Sequence, residues 1–311
     1  MTNVAFLPEE EAYIWGFPLV SIHRTRLLHG AENLTGTLHH VGHLATPRDR
    51  RVVAPNNDTL YSSGWYDLRY GDLLIRVPPM DKPGRYWNVM VVDAYTHISY
   101  ITRRQHGVNG AFIRVTFDPT TSPDKATENK VRVGTPTAWV IVRILVESEE
   151  DLSTARNLQT SFKVITPELH PQMHTTPGAS APEIGKAGAA FFPELMRYMA
   201  IDPAPPRHPT LSEDALTLLE NLEAFSPARL AAAVKRADTY IRKGAFQSTI
   251  IRNGWSTGRA ATGPGKDIAR RARGAMFGLG GHYAVENRSY IAVHDVEGQE
   301  LRGERPLELR F

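Results

Sequence analysis

Polar side chains able to take part in acid–base chemistry follow one another in a short segment of the N-terminal region. The segment VVAPNNDTLYSSGWYDL, residues 52–68, places Asn56, Asn57, Asp58 and Thr59 ahead of several aromatic residues. Residues of these polar types commonly form turns and caps, which is the structural alternative. The aromatic side chains that follow them suit the lining of a ligand site. The segment is therefore a candidate site for binding or chemistry.

Other residues could complete an acid–base site. Catalysis of this kind needs a base, a proton donor and a positive group near developing negative charge. Asp58 and Asp93 are the candidate bases, and Asp93 follows an apolar strand pattern, where functional loops are commonly carried. Tyr61 and Tyr86 are the candidate donors. Arg143 lies inside an apolar segment and could hold an anionic group or pair with a carboxylate.

Two further motifs carry less information. LHHVGH spaces its histidines three and four residues apart, so His40 and His43 could share a metal ion if the segment were helical. Gly36 and Gly42 argue against a helix there, which leaves a metal site as a minor alternative. GLGGHYA, residues 278–284, lacks the third glycine of a dinucleotide fingerprint and is interpreted as a loop.

Composition restricts the class of protein. The chain has 311 residues, 41% of them hydrophobic, and no cysteine, which allows a substantial core and excludes disulfides and thiolate sites. The formal net charge of +3 is too small to indicate a nucleic-acid or membrane partner. Glu9, Glu10 and Glu11 lie where a signal sequence would be apolar, and no apolar stretch is long enough for a membrane span. We therefore expect a soluble, cytoplasmic protein.

The hydrophobic pattern predicts strands followed by helices. Runs rich in Val, Ile, Tyr and Trp between residues 65 and 117 predict a β meander or sandwich. TAWVIVRILVE, residues 137–147, is the most apolar run and predicts a central strand, in which Arg143 needs a partner or a cavity.

Start and stop signals predict the helices. One should begin at Pro8 and kink or stop near Pro18. Thr210 and Glu213 predict a capping box, and Ser226 followed by proline predicts the start of another helix.

Longer motifs resemble a known family. NNDTLYS, RYWNVMVVDAYT with RRQHG behind it, and VIVRILV leading to DLSTARNLQTSFKVITP resemble the bacterial family called domain of unknown function 1254. NGW, TGPGKDIARRA and YIAVHDVEGQELRGERPLELRF resemble its companion, domain of unknown function 1214. The resemblance implies two jelly-roll-like sandwich units joined by helices, and it implies no settled chemistry.

The family pattern can be carried over by position. Matching residues in the first part are His40, Asn56, Asp58, Thr59, Tyr61, Asp67, Asp93, Thr96, Arg104, Gly107, Arg143 and Gln159. Matching residues in the second part are Trp255, Gly263, Arg271, Tyr290, Asp295, Gly298, Leu301 and Gly303. The sequence stops at Phe311, where relatives usually continue, so we expect the second sheet to be trimmed, completed by a partner, or differently built.

We therefore expect an α+β, β-rich fold with two jelly-roll-like antiparallel β-sandwich units joined by helices, the second one shortened. The expected domains are an N-terminal β-rich domain over residues 1–170, a helical connector over residues 171–244, and a truncated β-containing domain over residues 245–311.

The leading functional hypothesis is an enzyme without a cofactor that uses acid–base chemistry on a small organic metabolite, in specialised metabolism, as an isomerase, cyclase, lyase or hydrolase. A non-catalytic binder of a carbohydrate or hydrophobic metabolite is the alternative, and a histidine-dependent metal hydrolase is a weaker one. The candidate catalytic residues are Asp58, Asp93, Tyr61, Tyr86 and Arg143. The candidate substrate-binding residues are Asn56, Asn57, Thr59, Trp65, Trp87, Tyr95, Thr96, Arg104 and His40.

The expected partners are a small molecule and a second copy of the chain, with no nucleic acid and no membrane. The terminal PLELRF alternates apolar Leu307, Leu309 and Phe311 with charged residues, which predicts a strand with one buried face. An open edge at such a strand can pair with another chain, so we predict a homodimer with this region near its interface.

Overall fold

The computed structural model describes residues 5–29, 38–46, 48, 56–120, 129–167, 183–206, 208–244, 249–258, 265–284, 286–302, 304 and 308. The α-helices are α1 (Pro8–His29), α2 (Arg103–His106), α3 (Leu152–Ser161), α4 (Phe191–Ile201), α5 (Glu213–Glu220), α6 (Pro227–Lys243) and α7 (Ile268–Gly278). The strands are β1 (His39–Val41), β2 (Thr59–Asp67), β3 (Leu73–Val77), β4 (Trp87–Asp93), β5 (Ile98–Thr102), β6 (Ala111–Phe117), β7 (Lys130–Val133), β8 (Thr137–Leu145), β9 (Lys163–Ile165), β10 (Thr249–Arg252), β11 (Trp255–Gly258) and β12 (Tyr290–Ala292).

Two sheets form a sandwich. The major sheet has five strands in the order β1-β2-β8-β4-β5, and the minor sheet has four in the order β7-β6-β3-β9. Alternate side chains from the two sheets, among them Leu60, Val89 and Val140 from the major sheet and Ile75 and Ile113 from the minor sheet, form one apolar core. The sandwich departs from the all-antiparallel expectation in one place, since β6 and β7 pair in parallel.

Helices cover the other face of the major sheet. Residues of α1, α4, α5, α6 and α7 share a second apolar core with Trp65, Trp139 and Ile141 of that sheet. The molecule therefore has three layers in the order minor sheet, major sheet and helices, which confirms the α+β class. Among the described helices, none is long and apolar enough to cross a membrane.

The position of β8 confirms one sequence-based expectation. The apolar segment is the middle strand of the major sheet, and its pairing with β2 and β4 places Tyr61, Arg143 and Asn88 side by side in one row. Arg143 is consequently buried in the sheet, as the sequence predicted.

Tertiary contacts override local signals at two places. α1 does not stop near Pro18, because its residues from Ala12 to Arg24 are buried and their packing outweighs the hydrogen bond that proline removes. Thr210 and Glu213 do not form a capping box. Ser212 caps α5 instead, and the carboxylate of Glu11 accepts hydrogen bonds from both its amide and its hydroxyl, which fixes the cap position.

The C-terminal part holds a small third sheet. Strands β10, β11 and β12 pair antiparallel, and a turn with Gly298 at a φ of 79° follows them. The helical core joins residues from all three predicted domains, while the predicted boundaries themselves stay predictions. Apart from Glu308, the predicted terminal strand PLELRF lies outside the described residues.

Candidate functional site

One half of the helix-facing side of the major sheet is polar. Strand alternation points residues of β2, β8, β4 and β5 toward the helices, and the stacked rings of Trp65 and Trp139 occupy the apolar half. The segment between α7 and β12 covers the polar half. We call the residues that meet there the Arg143 cluster: Tyr61, Tyr86, Asn88, Tyr100, Arg104, Arg143, His282 and Glu286.

Arg143 is the buried cation of this cluster. Its side chain belongs to a residue that is 3% exposed, and its Nη2 donates a hydrogen bond to the carbonyl of Gly280 over 2.6 Å. The guanidinium lies over the ring of Tyr61, with 4.9 Å between its carbon and the ring centre. Among the described residues, the Arg143 Nε has no hydrogen-bond partner and no carboxylate pairs with the guanidinium. The positive charge is therefore buried without an anion from the described part of the chain.

A hydrogen-bonded chain runs from Asn88 to Arg104. The fully buried Asn88 donates from Nδ2 to the hydroxyl of Tyr86 over 2.7 Å, and that hydroxyl donates to Oε2 of Glu286 over 3.4 Å. The second oxygen of Glu286 is paired with Arg104. Burial raises the pKa of Tyr86, although the charge of Arg143 and the hydrogen bond from Asn88 oppose this effect. Tyr86 therefore holds its proton at neutral pH and is bonded to a carboxylate.

His282 closes the cluster from the covering segment. Its Nε2 lies 3.5 Å from Nδ2 of Asn88, and its ring stacks on Tyr100 with 5.8 Å between ring centres. Burial and the nearby Arg143 charge lower the pKa of His282 to about 3, so the ring is neutral. When Nε2 accepts from Asn88, the ring proton is on Nδ1, a buried atom without a partner among the described residues.

Gly280 allows the covering segment to approach the sheet. Its φ is +72°, and a Cβ atom built there would lie 2.9 Å from the indole of Trp139. That indole is held by stacking on Trp65 and by a hydrogen bond to Ser63. A larger residue at this position would therefore push the segment away from Arg143.

Asp93 lies at the opposite end of β4, in the turn to β5. Its Oδ1 accepts hydrogen bonds from the amides of Tyr95 and His97, each over 2.8 Å, around Thr96, whose φ is 64°. Burial raises the pKa of Asp93 to about 7, although the two backbone hydrogen bonds and the charge of Arg271 oppose this effect. In this position the carboxyl holds the turn between the strands.

A pair of histidines and a second carboxylate lie near that turn. His97 Nε2 is 3.2 Å from His208 Nδ1, and burial lowers both pKa values, to about 3 and about 2. The hydroxyl of Tyr95 donates a hydrogen bond to the main-chain carbonyl of Asp202 over 3.0 Å, and the side chain of Asp202 is the second buried carboxylate. The predicted binding residues Tyr95 and Thr96 thus belong to the turn region, although the Thr96 carbonyl accepts a bond from Tyr283 of the covering segment.

The structure brings together four of the predicted site residues. Tyr61, Tyr86, Arg143 and Arg104 all belong to the Arg143 cluster. Thr59 begins β2 at the same end of the sheet, and its hydroxyl oxygen is buried without a partner among the described residues.

The remaining predicted residues lie elsewhere. Asn56 accepts a hydrogen bond from the amide of Asp58 over 3.1 Å, which is the turn that the structural alternative predicted, and Asn57 and Asp58 are exposed. Trp87 faces the sandwich core on the other side of the sheet. His40 is on the edge strand β1, with Nδ1 2.7 Å from the hydroxyl of Ser62.

The histidine segment is not helical in its described part. His39 and His40 belong to strand β1, so this part of the segment does not form the helix that the shared metal site requires. Within the described ranges, no group of three or more histidine or acidic residues has the arrangement of a metal site.

Sequence reasoning missed four members of the cluster. Asn88 and Tyr100 had a usable signal, since Asn88 is two residues from Tyr86 in a strand pattern and therefore shares its face. His282 and Glu286 had none, because they follow Asn88 and Tyr86 by 194 and 200 residues. His282 lies in GLGGHYA, residues 278–284, which the sequence pattern indicates is a loop.

Comparisons with known proteins agree with this picture of the fold. Residues 35–166 match a family model described as protein of unknown function (DUF1254). No curated protein matches the chain. The crystal structure of the VPA0106 protein from Vibrio parahaemolyticus is similar at a TM-score of 0.58 and 19% identity, covering 96% of this chain and 73% of that one, which supports a shared fold.

A putative uncharacterized protein from Burkholderia cenocepacia aligns at a TM-score of 0.35 and 12% identity, covering 82% of this chain and 56% of that one. The family match includes Tyr61, Tyr86, Asn88 and Arg143, whereas His282 and Glu286 lie beyond it. The chain is thus similar to the DUF1254 family over residues 35–166, the segment that supplies the sheet side of the Arg143 cluster.

Proposed function

We propose that the chain is an acid–base enzyme that acts on a small organic molecule at the Arg143 cluster. One observation supports this above the others. The hydroxyl of Tyr86 lies between a buried amide and a carboxylate, beside a buried cation. Proton donors, acceptors and a fixed charge in one water-poor place are what general acid–base catalysis uses.

Tyr86 serves as the proton donor and Glu286 as the base. Tyr86 gives its proton to the substrate atom on which negative charge develops, and the Asn88 amide and the Arg143 charge stabilise the phenolate that remains. Glu286 takes a proton from another substrate atom and passes it to the Tyr86 oxygen, with which it shares a hydrogen bond. Both groups end the cycle as they began. Asp58 and Asp93, the carboxylates favoured from sequence, are not needed in this scheme.

The experiment is to substitute Tyr86→Phe and measure conversion of a metabolite extract by mass spectrometry. We expect the wild-type protein to deplete one compound and the variant to do so about 100- to 10,000-fold more slowly, because the phenolic proton is lost. Tyr290→Phe is the matched control, since Tyr290 is exposed in the third sheet. Equal conversion by Tyr86→Phe and wild type would remove Tyr86 from the reaction.

Non-catalytic binding is the second candidate function. Asn88 Oδ1, Arg143 Nε and His282 Nδ1 have no hydrogen-bond partner among the described residues, which favours binding as well, because buried polar groups normally have partners. A binder would retain a co-purifying compound unchanged, and the wild-type protein would convert nothing in the same extract. A metal hydrolase would instead carry a full equivalent of zinc, iron or manganese by elemental analysis.

Several wider statements belong to the same proposal. We infer a bacterial protein of specialised biosynthesis that acts in the cytoplasm, with a C-terminal region related to the domain of unknown function 1214. The motifs around Trp255 and between Tyr290 and Leu301 support the last statement. A homodimer is expected, and light scattering at micromolar concentration tests it, since a monomeric mass would contradict it.

A further inference from the structure

We propose that the Arg143 cluster takes a substrate with a single negative charge, carried by a carboxylate that the Arg143 guanidinium binds. The inference rests on the proposed function for calling this molecule a substrate, whereas the binding itself can be measured without any reaction.

The charges of the cluster leave one positive charge to be compensated. The negative charge of Glu286 is paired with Arg104, whose side chain is 57% exposed at the rim. Burial lowers the pKa of His282 and raises the pKa values of Tyr86 and Tyr100, so these three groups are neutral at neutral pH. Arg143 pairs with no carboxylate among the described residues, although a buried charge without a partner is strongly unfavourable. A monoanion restores the balance, whereas a phosphate with nearly two charges would exceed it.

The hydrogen-bond groups match a carboxylate. Arg143 offers Nε, and His282 offers Nδ1–H when its Nε2 accepts from Asn88. Two donors suit the two oxygens of a carboxylate. Asn88 Oδ1 is also buried without a partner in the described part of the chain, and it would accept from a hydroxyl or amine on the same ligand.

Aromatic rings lie near Arg143, both on the major sheet and beneath the covering segment. Tyr61 lies against the guanidinium, and Tyr100, on β5 two strands away from Arg143, stacks with His282 of the covering segment. Flat aromatic surfaces favour a planar molecule between them. Benzoate is therefore the probe of choice, with acetate as a smaller carboxylate.

The test is calorimetric titration of the full chain with benzoate, acetate, their neutral amides benzamide and acetamide, and inorganic phosphate. We expect at least one carboxylate to bind, with its amide about 10- to 100-fold weaker, because the charge-assisted hydrogen bonds are lost. Arg143→Met should abolish the binding, and Arg143→Lys should weaken it about tenfold, since lysine keeps the charge without the fork. Arg114→Met, on the exposed side of the minor sheet, makes the same change in net charge and should bind like wild type.

Each outcome separates the two proposals. Binding that depends on Arg143 in a protein that converts nothing supports the carboxylate site and contradicts the enzyme. Conversion of a neutral compound that depends on Tyr86, with no carboxylate bound, supports the enzyme and overturns the carboxylate site. Equal binding of benzoate and benzamide, phosphate binding as tight as benzoate, or unchanged benzoate binding in the folded Arg143→Met or Arg143→Lys protein also overturns it.

Discussion

Replacing the carboxyl of Asp93 by an amide should remove a loss of stability that this carboxyl causes as the pH rises. Asp93→Asn keeps an oxygen that can accept the bonds from the amides of Tyr95 and His97, while it removes the charge. Below the ordinary carboxyl pKa of 3.8, Asp93 is protonated in the folded and in the unfolded chain. As the pH rises, the unfolded chain loses this proton first, and the folded protein loses stability until the pH passes the folded pKa of about 7.

The magnitude follows from these two pKa values. Each tenfold difference in proton affinity is worth about 1.4 kcal/mol, so the full difference corresponds to about 4 kcal/mol. About 3 kcal/mol of this loss falls between roughly pH 5 and pH 8, where both states can be measured. His97 and His208, whose pKa values are lowered to about 3 and about 2, stay neutral in the folded protein but are protonated in the unfolded chain at the acidic end of this window. They therefore favour the folded state more as the pH rises, and because wild type and Asp93→Asn share this contribution, it cancels from the difference between them.

The assay is urea denaturation of wild type and Asp93→Asn at several pH values in that window. The difference between their free energies of unfolding should shift in favour of the variant by about 3 kcal/mol as the pH rises. Asp295→Asn is the matched control, because Asp295 accepts amides of Glu297 and Gln299 in a similar turn that is exposed. If the difference in free energy of unfolding between wild type and Asp93→Asn does not change with pH, the burial argument is refuted. If the variant loses turnover without a change in stability, Asp93 is a catalytic residue after all.

Two further substitutions test the positions that hold the site and the helices. Gly280→Ala should weaken benzoate binding and conversion, because a positive φ costs about 1–2 kcal/mol and the new methyl meets Trp139. Gly298→Ala is the control, because Gly298 also has a positive φ but a Cβ atom there would lie in open space. An equal loss of binding in both variants would contradict a role for the contact with Trp139. Ser212→Ala should lower the free energy of unfolding by about 1–2 kcal/mol, because it removes the cap of α5 and the hydroxyl bond to Glu11. Thermal melts should show a smaller loss of stability for Ser226→Ala than for Ser212→Ala, since the Ser226 hydroxyl caps α6 alone. A larger loss for Ser226→Ala would contradict this account.

Local sequence patterns were sufficient for much of the fold. The apolar run around Arg143 predicted a central strand, and Ser226 with the proline behind it predicted the start of α6. Both signals act within a few residues, through side-chain alternation and satisfaction of backbone amides. The failure at Thr210 shows the limit. Thr210 and Ser212, two positions apart, could each cap α5, and a carboxylate from α1, 201 residues from Ser212, selects Ser212.

The candidate site divides in the same way. Local patterns were enough to predict that Tyr61, Tyr86 and Arg143 lie in or beside strands and that Arg143 is buried. Which of them meet depends on the folded sheet, because the pairing register of β2, β8 and β4 places residues in one row across it. The tertiary structure also decided that His282 and Glu286 complete the cluster, since contacts between residues 194 and 200 positions apart depend on packing of the whole chain and leave no local pattern.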